Sequence, residues 1–156
     1  MLERKQIRLK DYEYLNNGVY FITICTKDKK CLLGSVGATI GRQVQMVLSK
    51  YGHIVDNVIL DIPNHYKNVF VDKYVIMPNH IHIILFIRND EGRAMHAPTI
   101  SRIIQQLKGI VTKQVGYSIW QKLFYDHIIR NEHDYQQIWK YIDDNPIKWT
   151  LDKYYK

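Results

Sequence analysis

Two histidines one residue apart are the first feature of the sequence that suggests chemistry. His80 and His82 open a run of apolar residues directly after the Pro78-Asn79 pair. If this run is a strand, residues two apart project from the same face, so both imidazoles can reach one metal ion. Such a pair also has a purely structural reading, in which each ring hydrogen-bonds to a neighbour because unpaired buried polar groups are costly. The pair by itself leaves both readings open.

A tyrosine and an asparagine near the C-terminus form the second feature. Tyr141 and Asn145 are four residues apart, so in a helix they are neighbours on one face. The apolar spacing predicts such a helix, with a core stripe of Tyr135, Ile138, Trp139 and Ile142. Tyr141 and Asn145 then lie at one edge of the stripe. The structural alternative is that Tyr141 packs at the core margin and Asn145 caps the helix end.

The two features together suggest metal-assisted chemistry on a phosphate. Two imidazoles and an amide oxygen can hold one divalent cation, Mg²⁺ or Mn²⁺, and leave positions open for substrate oxygens. A metal there would polarise a scissile phosphate, and the tyrosine one turn from the amide would be aimed at it as nucleophile. Because a free phenol has a pKa of about 10, the metal or a basic neighbour must help to remove its proton.

Several predicted elements must bring these side chains together. Three β-branched and aromatic runs predict strands at 18–26, 69–77 and 80–87, and the Pro78-Asn79 turn joins the last two as a hairpin. The strand from His80 is apolar on both faces, which is typical of a central strand. Helical spacing predicts helices over 42–58, 101–115 and from Asn131 to Pro146, with Pro63-Asn64 breaking the first pattern and a polar loop over 88–98. This order predicts an α+β fold with a mainly antiparallel sheet and flanking helices.

Bulk composition limits the function classes. The 156 residues fit a single domain, 1–156, with a basic N-terminal arm over 1–17. A net charge of +7 and twelve tyrosines favour a polyanionic partner such as single-stranded nucleic acid, although aromatic residues also fill cores. The two cysteines predict free thiols rather than a disulfide framework. No signal peptide or membrane-spanning run is visible, so the expected location is the cytoplasm, without a membrane partner.

Four motifs in sequence order resemble one known family. They are residues 12–26, which run from Tyr12-Glu13-Tyr14 into the first strand, residues 75–82 around the histidines, residues 119–132, and the tyrosine motif 141–146. Together they resemble the single-tyrosine HUH transposases of bacterial insertion sequences, and most closely the REP-associated tyrosine transposases. The similarity runs along almost the whole chain.

The resemblance implies a role for each motif residue. His80, His82 and Asn145 would be metal ligands; some relatives have Gln at the third place, so the Asn form indicates the REP-associated branch. Tyr141 would attack the DNA backbone, leaving a 5′-phosphotyrosine link and a free 3′-hydroxyl. The implied substrate is single-stranded DNA near hairpins, and the implied fold is related to RNA-recognition-type domains. The chain would act as a monomer or as a homodimer that exchanges the tyrosine helix.

Basic residues outside these motifs are possible DNA contacts. Arg130 can hold a phosphate or brace the helix that carries Tyr141, and His127 lies beside it. The arm carries further candidates, which are equally typical of a solvated tail: Arg4, Lys5, Arg8 and Lys10.

Two rival functions are compatible with parts of the sequence. A catalytically silent single-stranded nucleic-acid-binding protein, a domesticated transposase relative, would have the same charge and fold. A histidine-triad nucleotide hydrolase would use His-x-His-x-His on a strand, but Ile84 stands where its nucleophilic histidine should be.

Overall fold

The computed structural model of the protein describes residues 18–40, 43–88 and 99–149. The arm predicted over 1–17 lies outside these residues, and so does the loop predicted over 88–98 apart from Arg88. The candidate DNA contacts of the arm therefore also lie outside the described residues: Arg4, Lys5, Arg8 and Lys10.

A four-stranded antiparallel sheet forms the centre of the fold. Its strands, in spatial order, are β4 (Val69–Met77), β5 (His80–Ile87), β1 (Gly18–Cys25) and β6 (Tyr125–Ile128). The three predicted strands and the Pro78-Asn79 hairpin are confirmed, and β5 is buried along its whole length as expected of a central strand. Strand β6 was not predicted, because its four residues are mostly exposed and have no apolar alternation.

The predicted helix over 42–58 is wrong in its position. Its first residues form β3 (Gln43–Leu48), which pairs with β2 (Gly34–Ile40) in a separate hairpin. Helix α1 (Lys50–His65) begins after Ser49, whose side chain accepts the amide N–H of Gly52. Residues 43–46 alternate polar and apolar side chains, a strand period that the overlapping helical spacing concealed.

Helix α1 also continues past the proline that was expected to break it. Pro63 lies inside the last turn, where its missing N–H removes a single helical hydrogen bond. The Asp61 carboxylate accepts hydrogen bonds from Asn64 Nδ2 at 2.8 Å and from His65 Nε2 at 2.9 Å. These contacts hold the final turn as far as His65.

The two remaining helices form where the sequence predicts them. Helix α2 (Ile100–Val115) begins at the Thr99 cap and ends at Gly116, which adopts a left-handed φ of 101°. Helix α3 (Glu132–Asp144) begins at Asn131, whose side chain accepts the Asp134 N–H at 2.8 Å. Among the described residues, no helix has the length and apolar character needed to cross a membrane.

The helices cover opposite faces of the sheet. Helices α1 and α2 pack on one face, against a core that includes Ile22, Ile24, Ile81, Ile83 and Leu85. Helix α3 packs on the other face, against Val19, Phe21, Ile84 and Phe86. The observed architecture is therefore the expected α+β arrangement of an antiparallel sheet with flanking helices.

Candidate active site

Both predicted histidines lie at the start of β5, on the face that α3 covers. His80 and His82 are the first and third residues of the strand, so the pleat directs both rings to the same side. The two rings are 4.6 Å apart between centroids and 69° apart in plane, and both are almost completely buried. The strand therefore places two imidazoles side by side at one end of the sheet.

A hydrogen-bonded asparagine orients the first of these rings. Asn79 Nδ2 donates to the Lys29 carbonyl at 3.2 Å, so the opposite side of the amide presents Oδ1 to His80 Nδ1 at 2.8 Å. Since an amide oxygen can only accept, the proton of the neutral His80 ring lies on Nδ1 and the lone pair on Nε2. Metal-binding histidines are commonly held this way by a partner on the other ring nitrogen.

A threonine on the neighbouring strand holds the second ring. Thr23 pairs with His82 in the β1–β5 register, and its Oγ1 lies 2.8 Å from His82 Nδ1. A hydroxyl can accept from Nδ1–H, which suits the same tautomer as in His80. Phe21, two residues earlier on β1, stacks on the His82 ring with a centroid distance of 5.2 Å.

The predicted nucleophile lies against this pair. The Tyr141 ring of α3 is 5.3 Å from the His82 ring, in an edge-on arrangement, and meets the edge of Phe21 at 6.2 Å. Tyr141 is 41% exposed, so a molecule arriving from solvent can reach it. The structure thus brings Tyr141 to the histidines within one chain.

The predicted amide ligand differs from Tyr141 in being buried. Asn145 is 3% exposed, and its Nδ2 donates to the Tyr141 carbonyl at 3.0 Å. Its Oδ1 is buried and accepts no hydrogen bond from any residue that the structure describes. Because a buried acceptor without a donor costs about 1–3 kcal/mol, this oxygen is suited to a cation or to an added donor.

The donor set fits a divalent cation of the kind predicted. The Nε2 atoms of His80 and His82 and the Oδ1 of Asn145 are all buried. Within residues 18–40, 43–88 and 99–149 there is no cluster of three or more His, Cys, Asp or Glu side chains. A cation held here would therefore have two imidazole nitrogens and one amide oxygen as protein ligands, which leaves positions for phosphate oxygens.

Strand β4 holds α3 in register with the histidines through contacts that sequence reasoning missed. A bulge between Val71 and Lys73 interrupts the pairing of β4 with β5. The buried Asp72 carboxylate accepts a hydrogen bond from the Tyr135 hydroxyl. Lys73 Nζ lies 3.1 Å from Asp143 Oδ1 and 3.6 Å from the centroid of the Trp139 ring. The only signal in the sequence was an Asp-Lys pair inside an apolar strand.

The two secondary candidates near α3 have different surroundings. His127, on β6, points to the same face as Phe21, and its Nε2 lies 2.8 Å from Asp134 Oδ2 in the first turn of α3. This contact connects β6 with the helix that carries Tyr141. Arg130 is exposed in the segment between β6 and α3.

Sequence comparison identifies relatives along most of the chain. An uncharacterized protein of Haemophilus influenzae is 40% identical over 97% of this chain and 93% of its own length. A REP-associated tyrosine transposase of Escherichia coli is 26% identical over 86% of this chain and 70% of its own length. No protein-family model matches the chain.

Solved structures share the fold. The structure of a REP-associated tyrosine transposase bound to a REP hairpin matches with a TM-score of 0.64 at 22% identity, over 98% of this chain and 77% of that one. A crystal structure of a Deinococcus radiodurans protein, provisionally assigned as a transposase, matches with a TM-score of 0.51 at 14% identity, over 92% of this chain and 97% of that one. These two similarities show that the fold is shared.

Proposed function

The chain belongs to one family with the Haemophilus influenzae protein and has the fold of a REP-associated tyrosine transposase, and from that premise we propose that it cuts and rejoins single-stranded DNA with Tyr141 as nucleophile. The substrate in this proposal is a DNA strand that carries a hairpin, as in the related structure. The active site is built within a single chain.

One observation carries the proposal. An accessible tyrosine lies edge-on to one of two buried, neighbouring histidines, and the next turn of its helix carries a buried amide oxygen. A structural role explains each of these residues separately. It does not explain why an amide oxygen that needs a donor is buried one helical turn from the tyrosine that contacts the His82 ring, since burying it is costly.

The proposed step exchanges one phosphodiester for another. The phenol proton passes to solvent, and Tyr141 Oη attacks the phosphorus of the bound strand. A bond forms between Oη and phosphorus while the bond between phosphorus and the 3′-oxygen breaks, and that oxygen takes up a proton. The product is a 5′-phosphotyrosine link and a free 3′-hydroxyl, and attack by a 3′-hydroxyl reverses the step and restores the tyrosine.

The predicted ligands have a supporting role in this step. His80, His82 and Asn145 would hold Mg²⁺ or Mn²⁺, which supplies positive charge beside the phosphate when bound. The contacts of Asn79 and Thr23 keep both rings in the tautomer that presents Nε2. Phe21 and Tyr135 support the two sides of the site, one against the rings and one against β4.

Trapping of a covalent adduct tests the proposal. The protein is incubated with single-stranded DNA that carries a hairpin and flanks, in Mn²⁺, and adducts are resolved on a denaturing gel. The unsubstituted protein is expected to form an adduct of the mass of protein plus DNA fragment, and Tyr141→Phe is expected to form none. If Tyr141→Phe still forms the adduct, a different residue is the nucleophile and the proposal is wrong.

A matched tyrosine elsewhere controls for accessibility. Tyr117 is 53% exposed and follows α2, the helix that covers the opposite face of the sheet. Its hydrogen bond with Tyr51 raises the pKa of Tyr117, which disfavours the phenolate. Tyr117→Phe is therefore expected to form the adduct at the normal rate. DNA binding without an adduct on any of several hairpins would favour the silent binding protein.

A further inference from the structure

An open cavity of about 750 Å³ lies beside the end of β1 and is not used by the proposed chemistry. Three lysines line it, namely Lys27, Lys29 and Lys122, together with a single carboxylate, that of Asp28. Trp120 forms part of its wall and is 5% exposed. The cavity therefore has an excess of positive charge, which suits an anion.

The two chain segments that form the cavity are held together by backbone hydrogen bonds. The Lys27 N–H donates to the Ile119 carbonyl at 2.9 Å, and the Gln121 N–H donates to the Cys25 carbonyl at 2.9 Å. The ammonium of Lys108 donates to the Gln121 carbonyl at 2.9 Å, and burial lowers the pKa of Lys108. Lys27 and Lys122 are exposed on opposite segments of this fixed frame, so their ammonium groups are presented without reorganising the backbone.

The frame is continuous with the candidate active site. The Lys29 carbonyl accepts from Asn79 Nδ2, and Asn79 Oδ1 accepts from His80 Nδ1. The Thr26 N–H also donates to the Asn79 carbonyl at 2.9 Å. The cavity and the histidine pair thus share the same end of the sheet and are separated by one asparagine.

We propose that this lysine-lined cavity binds a backbone phosphate of the single-stranded DNA flank that enters the active site. The inference rests on the proposed function and adds a second contact to it. Ammonium groups are compact charges that bind phosphate without reading bases, so the contact contributes affinity and register rather than sequence preference. A strand held both there and at Tyr141 has a defined path across the end of the sheet.

Salt-dependent binding tests the inference in the Tyr141→Phe protein, which is expected to bind DNA without cutting it. Lys27→Gln/Lys122→Gln is compared with Lys67→Gln/Arg102→Gln, which removes two charges at the opposite end of the sheet. Each lost phosphate contact on a single strand lowers the slope of log affinity against log salt by about 0.7, and the cavity pair is expected to lower it by that amount because the cavity holds one phosphate. The distant pair is expected to change it little.

A blunt hairpin without flanks identifies the strand that the cavity holds. The difference between the two double variants is expected to disappear on this probe, because the single-stranded flank is missing. A difference that persists on the blunt hairpin overturns the assignment to the flank, and equal slopes for the two variants on the flanked hairpin overturn the cavity contact. In both cases, an adduct formed by the protein with Tyr141 intact leaves the proposed function standing. If that protein forms no adduct but the salt slopes of the double variants are as expected, only the proposed function is contradicted.

Discussion

The two faces of the central sheet are covered in different ways. On the face of α1 and α2 the contacts are mostly apolar and include buried residues such as Ile22, Ile83 and Leu107. The polar contacts on this face are only partly buried, namely Tyr74 with Asp56 and Tyr66 with Gln106. On the face of α3 a smaller apolar cluster is accompanied by directed polar contacts: Tyr135 with Asp72, Lys73 with Asp143, His127 with Asp134 and Thr23 with His82.

The two faces therefore have different roles: one mainly stabilises the fold, and the other also positions the residues of the candidate site. Apolar burial is non-directional and scales with area, so the face of α1 and α2 contributes mainly to stability. Hydrogen bonds and ion pairs have narrow geometry, so the α3 face specifies where Tyr141 and Asn145 lie relative to the histidines. We expect substitutions on the first face to change stability and those on the second to change chemistry as well.

Two adjacent isoleucines of β5 provide the strongest test of this comparison. Ile83 packs on the α1–α2 face and Ile84 on the α3 face, and both are fully buried. Ile83→Ala and Ile84→Ala are each expected to lower the free energy of unfolding by about 2–5 kcal/mol, measured by urea denaturation. Only Ile84→Ala is expected to slow adduct formation per folded molecule, because it loosens the support under α3. Equal adduct rates for the two variants would show that the α3 face has no special role in positioning Tyr141.

Metal binding sharpens the comparison through a readout that is independent of activity. If His80, His82 and Asn145 hold Mn²⁺, the ion at about 100 times its Kd stabilises the folded protein by about 2.7 kcal/mol, which raises the melting temperature. The rise is expected to disappear in His82→Ala and to persist in His133→Ala, which removes an exposed histidine of α3. An equal rise in both variants would place the ion elsewhere.

The hydrogen bond between Tyr135 and Asp72 tests the attachment of α3 to β4. Tyr135→Phe leaves the buried Asp72 carboxylate without its tyrosine donor, at an expected cost of about 1–3 kcal/mol in unfolding free energy. Adduct formation is expected to slow at saturating DNA, while the Kd for DNA stays unchanged. Asp72→Asn keeps an acceptor for the Tyr135 hydroxyl, so this variant is expected to retain more of the adduct rate than Tyr135→Phe does. A changed Kd with an unchanged rate would exclude a positioning role.

The helix caps provide the smallest test. The Asn131 side chain caps α3 and the Thr99 side chain caps α2 in the same way. Asn131→Ala and Thr99→Ala are each expected to cost about 1 kcal/mol of stability. Only the Asn131 variant is expected to lower the adduct yield, and only slightly, since α3 carries Tyr141. A larger loss of yield from Thr99→Ala would show that the two faces are not independent.

Local patterns in the sequence were sufficient for the elements that carry the candidate site. The apolar run from His80, with apolar residues on both faces, predicted a central strand, and the strand period predicted both imidazoles on one face; the structure has this strand. The apolar spacing after Asn131 predicted α3, with Tyr141 at the edge of its core stripe. Both predictions depend only on the periods of helices and strands, which neighbouring residues determine. The same reasoning was wrong at residues 43–48, where short helical and strand periods overlap.

Tertiary structure alone decided how these elements meet. The contact of Thr23 with His82 spans 59 positions of the chain, and that of Asp72 with Tyr135 spans 63. The β6 edge strand and the cavity beside β1 likewise arise from pairing between distant segments. Periodicity specifies which way a side chain points within its own element, but the partner it meets depends on strand order and register. Those follow from the packing of the whole chain, and they bring Tyr141 to the histidine pair.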